Sequence, residues 1–211
     1  MYEYFLESCI ESLDEAVISQ QNGAHQLELC SRLDLDGLTP SIDLLRQILK
    51  HVDIPVKVMI RPHHNGFEYS ETDSILIRHQ INTFKTHNIN GIVFGALKDK
   101  RLDLELISEV AKWASPLDVT IHKAIDLCEY PLEEITKLKN FPNIKYILSS
   151  GQKAEAIKGI DMLTKMKKAC GHKLQLIVAG KVTQENLQYL HKKIGAEYYH
   201  GRKVVENKKV D

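Results

Sequence analysis

Short apolar runs of four to six residues recur eight times along the chain, each followed by a longer polar or amphipathic stretch. The runs are Tyr4–Cys9, Gln26–Cys30, Val56–Ile60, Gly91–Phe94, Asp118–His122, Lys145–Ser149, Leu174–Val178 and Glu197–His200. Their length and composition predict strands. Three intervening stretches carry a helical period. Pro40–Val52 repeats Ile42, Leu45, Ile48, Leu49 and Val52 on one face. Asp103–Ala114 does so with Leu106, Ile107, Val110 and Ala114. Ala154–Cys170 does so with Ile157, Ile160, Leu163, Met166 and Cys170. Thr39-Pro40 reads as an N-cap followed by proline at the first helical position. Strand–helix alternation with short connections predicts a parallel sheet. Eight units predict its closure into an α/β (β/α)8 TIM barrel rather than an open doubly wound sheet, because closure removes exposed edges. After the eighth strand the segment 201–206 supplies barely two turns, so the last helix is expected to be truncated. Residues 1–211 contain no linker or low-complexity tract and read as a single domain.

Composition narrows the function. Lys plus Arg and Asp plus Glu both number 28, which argues against a nucleic-acid or membrane-surface partner. No apolar run approaches the roughly 18 residues of a membrane span. The first residues are acidic where a secretory leader is basic, and Cys9, Cys30, Cys128 and Cys170 are scattered. Both features predict a cytoplasmic protein with reduced thiols. There is no Cys-x-x-Cys, His-x-x-x-His, Gly-x-Ser-x-Gly or Walker loop, so structural zinc, a serine elbow and a nucleotide P-loop are not indicated.

In a parallel barrel the functional face lies at the C-terminal ends of the strands. The first two strands end Glu7-x-Cys9 and Glu28-x-Cys30, and alternation puts each Glu on the same side as its Cys. The third ends at Arg61. The fifth ends at His122 and Lys123, with Asp126 just beyond. Facing inward, these groups converge on one mouth. Such a cluster is either a structural ion network or a polar pocket for a small molecule, because buried charge needs pairing. As a catalytic set, Glu7 or Glu28 would be the base, His122 the acid or electrophile, and Arg61 an anion clamp. The substrate would be a small phosphorylated or carboxylated metabolite. The last strands end Ser150-Gly151, Gly180-Lys181 and Gly201-Arg202, which reads either as an anion site or as simple turns. Cys9 and Cys30, on neighbouring strands, could approach closely enough to hold Cu(I), or could be small buried apolar residues. The loop from His63 to Tyr69 is either a flap over the mouth or a solvated turn. Homodimerisation is left open.

Several segments carry a resemblance. Gly23-Ala24-His25-Gln26-Leu27-Glu28-Leu29-Cys30 resembles a GA-x-x-IELC signature, and Asp36-Gly37-Leu38-Thr39-Pro40-Ser41 resembles GGLTPS. Val58-Met59-Ile60-Arg61-Pro62 resembles VMIRPR, Thr120 to Asp126 resembles TFHRAFD, and Leu148-Ser149-Ser150-Gly151 resembles LTSGG. Collinear over about Glu7 to Lys203, they resemble the CutC family, named for copper homeostasis. The resemblance implies a TIM barrel, a cytoplasmic location and a role in copper handling, with Cu(I) as the bound ion. It carries Glu7, Glu28, Arg61, His122 and Asp126 as mouth residues, with Cys30 and Cys9 at matching cysteine positions. Lys123 and His63 depart from it, each standing where arginine is usual, and a lysine lacks the bidentate fork.

Overall fold

A computed structural model describes residues 4–205. Eight strands form the barrel: β1 Phe5–Ile10, β2 Gln26–Leu29, β3 Val56–Met59, β4 Gly91–Phe94, β5 Asp118–Ile121, β6 Ile144–Ser149, β7 Gln175–Val178 and β8 Tyr198–Gly201. All pairings in it are parallel, each strand lies beside its neighbours in sequence, and β1 closes onto β8. Seven α-helices among the described residues follow the first seven strands: α1 Leu13–Gln21, α2 Ile42–Ile48, α3 Glu71–Phe84, α4 Leu104–Ala114, α5 Pro131–Leu138, α6 Ile160–Cys170 and α7 Gln184–Ile194. This is the (β/α)8 TIM barrel. No helix among the described residues is long and apolar enough to cross a membrane.

Two local expectations are corrected. The N-cap of α2 is Ser41, whose hydroxyl accepts from the Leu44 amide. Thr39 lies outside the helix because its hydroxyl accepts from the Arg61 amide and donates to Gln80. After β8, residues 202–205 form turns and a bridge between Lys203 and Thr183 rather than helix, and the rest of the expected truncated helix lies outside the described residues.

Strand alternation sorts the side chains. Outward residues such as Leu27, Leu29, Val58, Ile60, Ile92, Phe94 and Ile121 pack beneath the helices in one continuous core. Inward residues are different. They include two small apolar clusters, Cys9–Cys30–Met59–Val93 and Leu148–Ile177–Ala179. Beside these stand the buried polar side chains Glu7, Glu28, Lys57, Thr120 and His122. At the N-terminal end the rings of Phe5 and Tyr198 stack at 5.2 Å, and Tyr146 meets Tyr198 edge-on at 5.4 Å. The open end is therefore the C-terminal one.

Candidate functional site

Register determines which polar groups meet. Glu7 sits opposite His200 on one side and Gln26 on the other, and Glu28 sits opposite Lys57. Glu7 Oε2 lies 3.2 Å from Lys57 Nζ, and Glu7 Oε1 accepts from His200 Nδ1 at 2.9 Å. Gln26 Nε2 also donates to Glu7. The Lys57 ammonium lies 3.7 Å from the centre of the Tyr146 ring, a cation–π contact. Burial pushes Glu7 upward, but Lys57 and His200 outweigh it and bring its pKa down to about 2. Burial opposes a proton on His200, yet Glu28, Cys9 and Glu7 hold its pKa well above the ordinary imidazole value. Glu7, Lys57 and His200 thus form a charged triplet inside the barrel.

The thiols lie one layer above. Cys9 and Cys30 place their sulfurs 3.9 Å apart, and Cys30 Sγ is 3.2 Å from Glu28 Oε1. The hydrogen bond with Cys30, aided by His200, lowers Cys9 to about 6 against its burial. The same contact with Cys9, together with burial, pushes Cys30 well up. Burial pushes Glu28 up to about 8. Within the thiol pair the proton therefore stays on Cys30, and Cys9 carries the thiolate character. Cys9, Glu28 and Cys30 offer ligand atoms within 4.8 Å of one another. Two sulfur donors and one oxygen suit a soft cation such as Cu(I) better than a hard one.

Above the thiols opens a cavity of about 680 Å³. It is lined by Glu28, Arg61, His122, Asp126, Cys9 and Cys30, among others, so these residues share one opening. Glu7 does not line it and lies deeper. Arg61 Nη1 donates to the carbonyls of Leu35 and Gly37, and Phe67 packs against its guanidinium at 4.6 Å. Phe67 comes from the loop that begins at His63, so this loop reaches into the cavity wall. His122 Nδ1 accepts from the Ala124 amide. Burial, then the Arg61 charge, lower its pKa to about 3, so the ring is neutral. Gly95 makes room for it: a Cβ there would stand 2.5 Å from His122 Nδ1.

Asp126 faces inward to protein. Its carboxylate accepts from the Ser149 hydroxyl, the Ser150 amide and hydroxyl, and the Gln152 amide, at 2.5 to 2.9 Å. The donors of Ser150 are thereby already engaged by the chain's own anion. The Gly151 amide donates to the Ser149 hydroxyl. Gly180, at φ +99°, lets β7's end pass Ser150, where a Cβ would come within 2.6 Å of the serine Cβ. A Cβ at Gly201 would stand 2.4 Å from the Val182 carbonyl. Arg202 reaches Glu11 and Glu15, each at 3.2 Å. Ser150, Gly180, Gly201 and Arg202 all border the cavity, but each has an engagement within the protein.

Sequence reasoning passed over Lys57, His200, Gln26 and Phe67. For Lys57 a signal existed: it stands in an apolar run at the same parity as Arg61, so both must face the barrel axis.

A family model described as the CutC family matches residues 4–205. The chain belongs to the CutC family. A family protein CutC of Photobacterium profundum is 35% identical over 196 residues, covering 92% of this chain and 80% of that protein. A human protein described as a copper homeostasis protein cutC homolog is 32% identical over 198 residues, covering 93% and 72%. A crystal structure described as the copper homeostasis protein CutC from Streptococcus agalactiae superposes with a TM-score of 0.90 at 25% identity. It covers 96% of this chain and 100% of the other. The cysteine pair and the polar mouth thus lie in a chain of the copper homeostasis family CutC.

Proposed function

We propose that this CutC chain binds Cu(I) between Cys9 and Cys30 at the floor of the mouth cavity and acts as a copper-handling protein. The observation that carries the reading is the sulfur–sulfur separation of 3.9 Å between two free thiols that both line the cavity. Thiolates are soft donors and select Cu(I) among available metals. Glu28 offers a carboxyl oxygen within 4.8 Å of both sulfurs as a third donor atom. The ion is cargo, entering from the mouth and leaving the same way. Such a site requires a compartment that keeps its thiols reduced, and the cytoplasm does so.

Anaerobic titration with Cu(I) in competition with a chromogenic chelator tests this. Wild type is expected to take one Cu(I) per chain, and the Cys9→Ser, Cys30→Ser double variant to bind at least about tenfold more weakly. Cys128→Ser should leave binding unchanged, since Cys128 lies outside the cavity. Equal weak binding by wild type and the double variant would dispose of the site.

A further inference from the structure

The cavity is far larger than one ion needs, and its wall away from the cysteines carries two buried hydrogen-bond donors with no protein partner. Arg61 is 5% exposed and His122 4%, and both Arg61 Nε and His122 Nε2 lack a hydrogen-bond partner among the described residues. Leaving such donors unsatisfied is costly, so each calls for an acceptor from outside the chain. Geometry says which kind. Arg61 Nη1 is committed to the Leu35 and Gly37 carbonyls at 3.0 and 3.2 Å. That pins the guanidinium and leaves its Nε edge free, the edge that pairs side-on with a planar carboxylate. The Ala124 amide donates to His122 Nδ1 at 3.1 Å, which places the ring proton on Nε2. His122 therefore presents a neutral N–H. Phe67 bridges the two residues, 4.6 Å from the guanidinium and 4.7 Å from the imidazole. It holds both on one wall.

Of the cations that line the cavity, Lys181 pairs with Glu155 and Arg202 with Glu11 and Glu15, which leaves Arg61 as the buried guanidinium on its wall. A phosphate would need more donors than one guanidinium edge and one imidazole. Those it would use after β6, the Ser150 and Gln152 amides, are occupied by Asp126.

We propose that Arg61 and His122 form a binding site for a small carboxylate carrying an oxygen acceptor on its second carbon, a 2-oxo or 2-hydroxy acid. The carboxylate lies on the Nε edge of Arg61, and the neighbouring oxygen accepts from His122 Nε2–H. Phe67 covers the ligand's apolar side. The site is independent of the copper reading, since neither residue is a copper ligand in it.

Calorimetric titration of the metal-free chain with pyruvate, lactate, acetate and inorganic phosphate tests the assignment. Pyruvate or lactate is expected to bind about tenfold tighter than acetate, the contribution of one extra hydrogen bond. His122→Asn keeps an acceptor for the Ala124 amide but removes the Nε2–H. It should erase that tenfold preference and leave acetate binding alone. Arg61→Lys keeps the charge without the fork and should weaken all the carboxylates. The Cys9→Ser, Cys30→Ser variant should bind pyruvate as wild type does, so failure of the copper site and failure of this one are distinguishable. On the wild type itself, the nitrogen resonances of His122 should shift on adding pyruvate, a readout that needs no variant. Equal affinity for acetate and pyruvate, preference for phosphate, or no binding at about 10 mM ligand would each overturn the proposal.

Discussion

The buried cation Lys57 is expected to be a main electrostatic support of the barrel interior. Replacing it with methionine fills most of its volume but leaves Glu7 charged in a site where its side chain is 1% exposed. Removing one partner of a buried ion pair typically costs about 3–5 kcal/mol. The titration of Glu7 points the same way: Lys57 and His200 together hold its carboxyl at about 2 rather than its ordinary 4.5 against burial, a joint stabilisation of about 3 kcal/mol at neutral pH. Because the folded value is the lower one, this contribution is complete above pH 4.5 and is lost as pH falls through about 2. For a chain of this size each kcal/mol shifts the melting temperature by roughly 2–4 °C, so Lys57→Met should melt roughly 6–20 °C below wild type at pH 7. The difference should shrink as the pH is lowered toward the range where Glu7 protonates. Adding Glu7→Gln to Lys57→Met removes the buried carboxylate that then keeps only His200 as a charged partner, and should recover part of the loss. Circular-dichroism melts at several pH values measure all of this. A Lys57→Met variant within 1 °C of wild type, or a double variant less stable than Lys57→Met, would refute the reasoning.

Two further outcomes follow from the site. Iodoacetamide should alkylate Cys9 well before Cys128 and Cys170, whose thiols burial pushes up to about 12, and its rate should fall as pH drops through about 6. Peptide mass spectrometry reads the order, and equal labelling of the three would contradict a Cys9 thiolate. Asp126→Ala takes the acceptor from the Ser149 hydroxyl and from the Ser150 and Gln152 amides, while the Ser150 hydroxyl keeps the Lys153 carbonyl; it should cost about 3 kcal/mol, lowering the melting temperature by roughly 6–12 °C. A loss below 1 °C would mean that Asp126 does not hold the loop after β6.

Much of the site was legible as parity. Glu7 with Cys9, Glu28 with Cys30, and the polar ends at Arg61 and His122 all follow from strands whose side chains alternate. The same parity turns Lys57 inward, although a lone lysine within an apolar run is a weaker signal than a polar strand end. The closeness of Asp126 to His122 in sequence marks it as a mouth carboxylate. Its role as the acceptor for Ser149, Ser150 and Gln152 depends on a loop 23 to 26 residues further along.

The eightfold strand–helix alternation sufficed for the barrel, for which faces point inward, and for the residues that border its opening. These are consequences of local periodicity, which any stretch of about ten residues carries within itself. Which inward groups touch was decided only by closure and register. Glu7 meets His200 across 193 positions of sequence, and that meeting helps hold the carboxyl down and the imidazole up in pKa. Depth was decided the same way: Glu7 lies below the cavity and Glu28 borders it, though both precede a cysteine by two residues. Nothing local distinguishes the two glutamates. The stagger of neighbouring strands does, because it decides which residue each inward carboxyl finds opposite it.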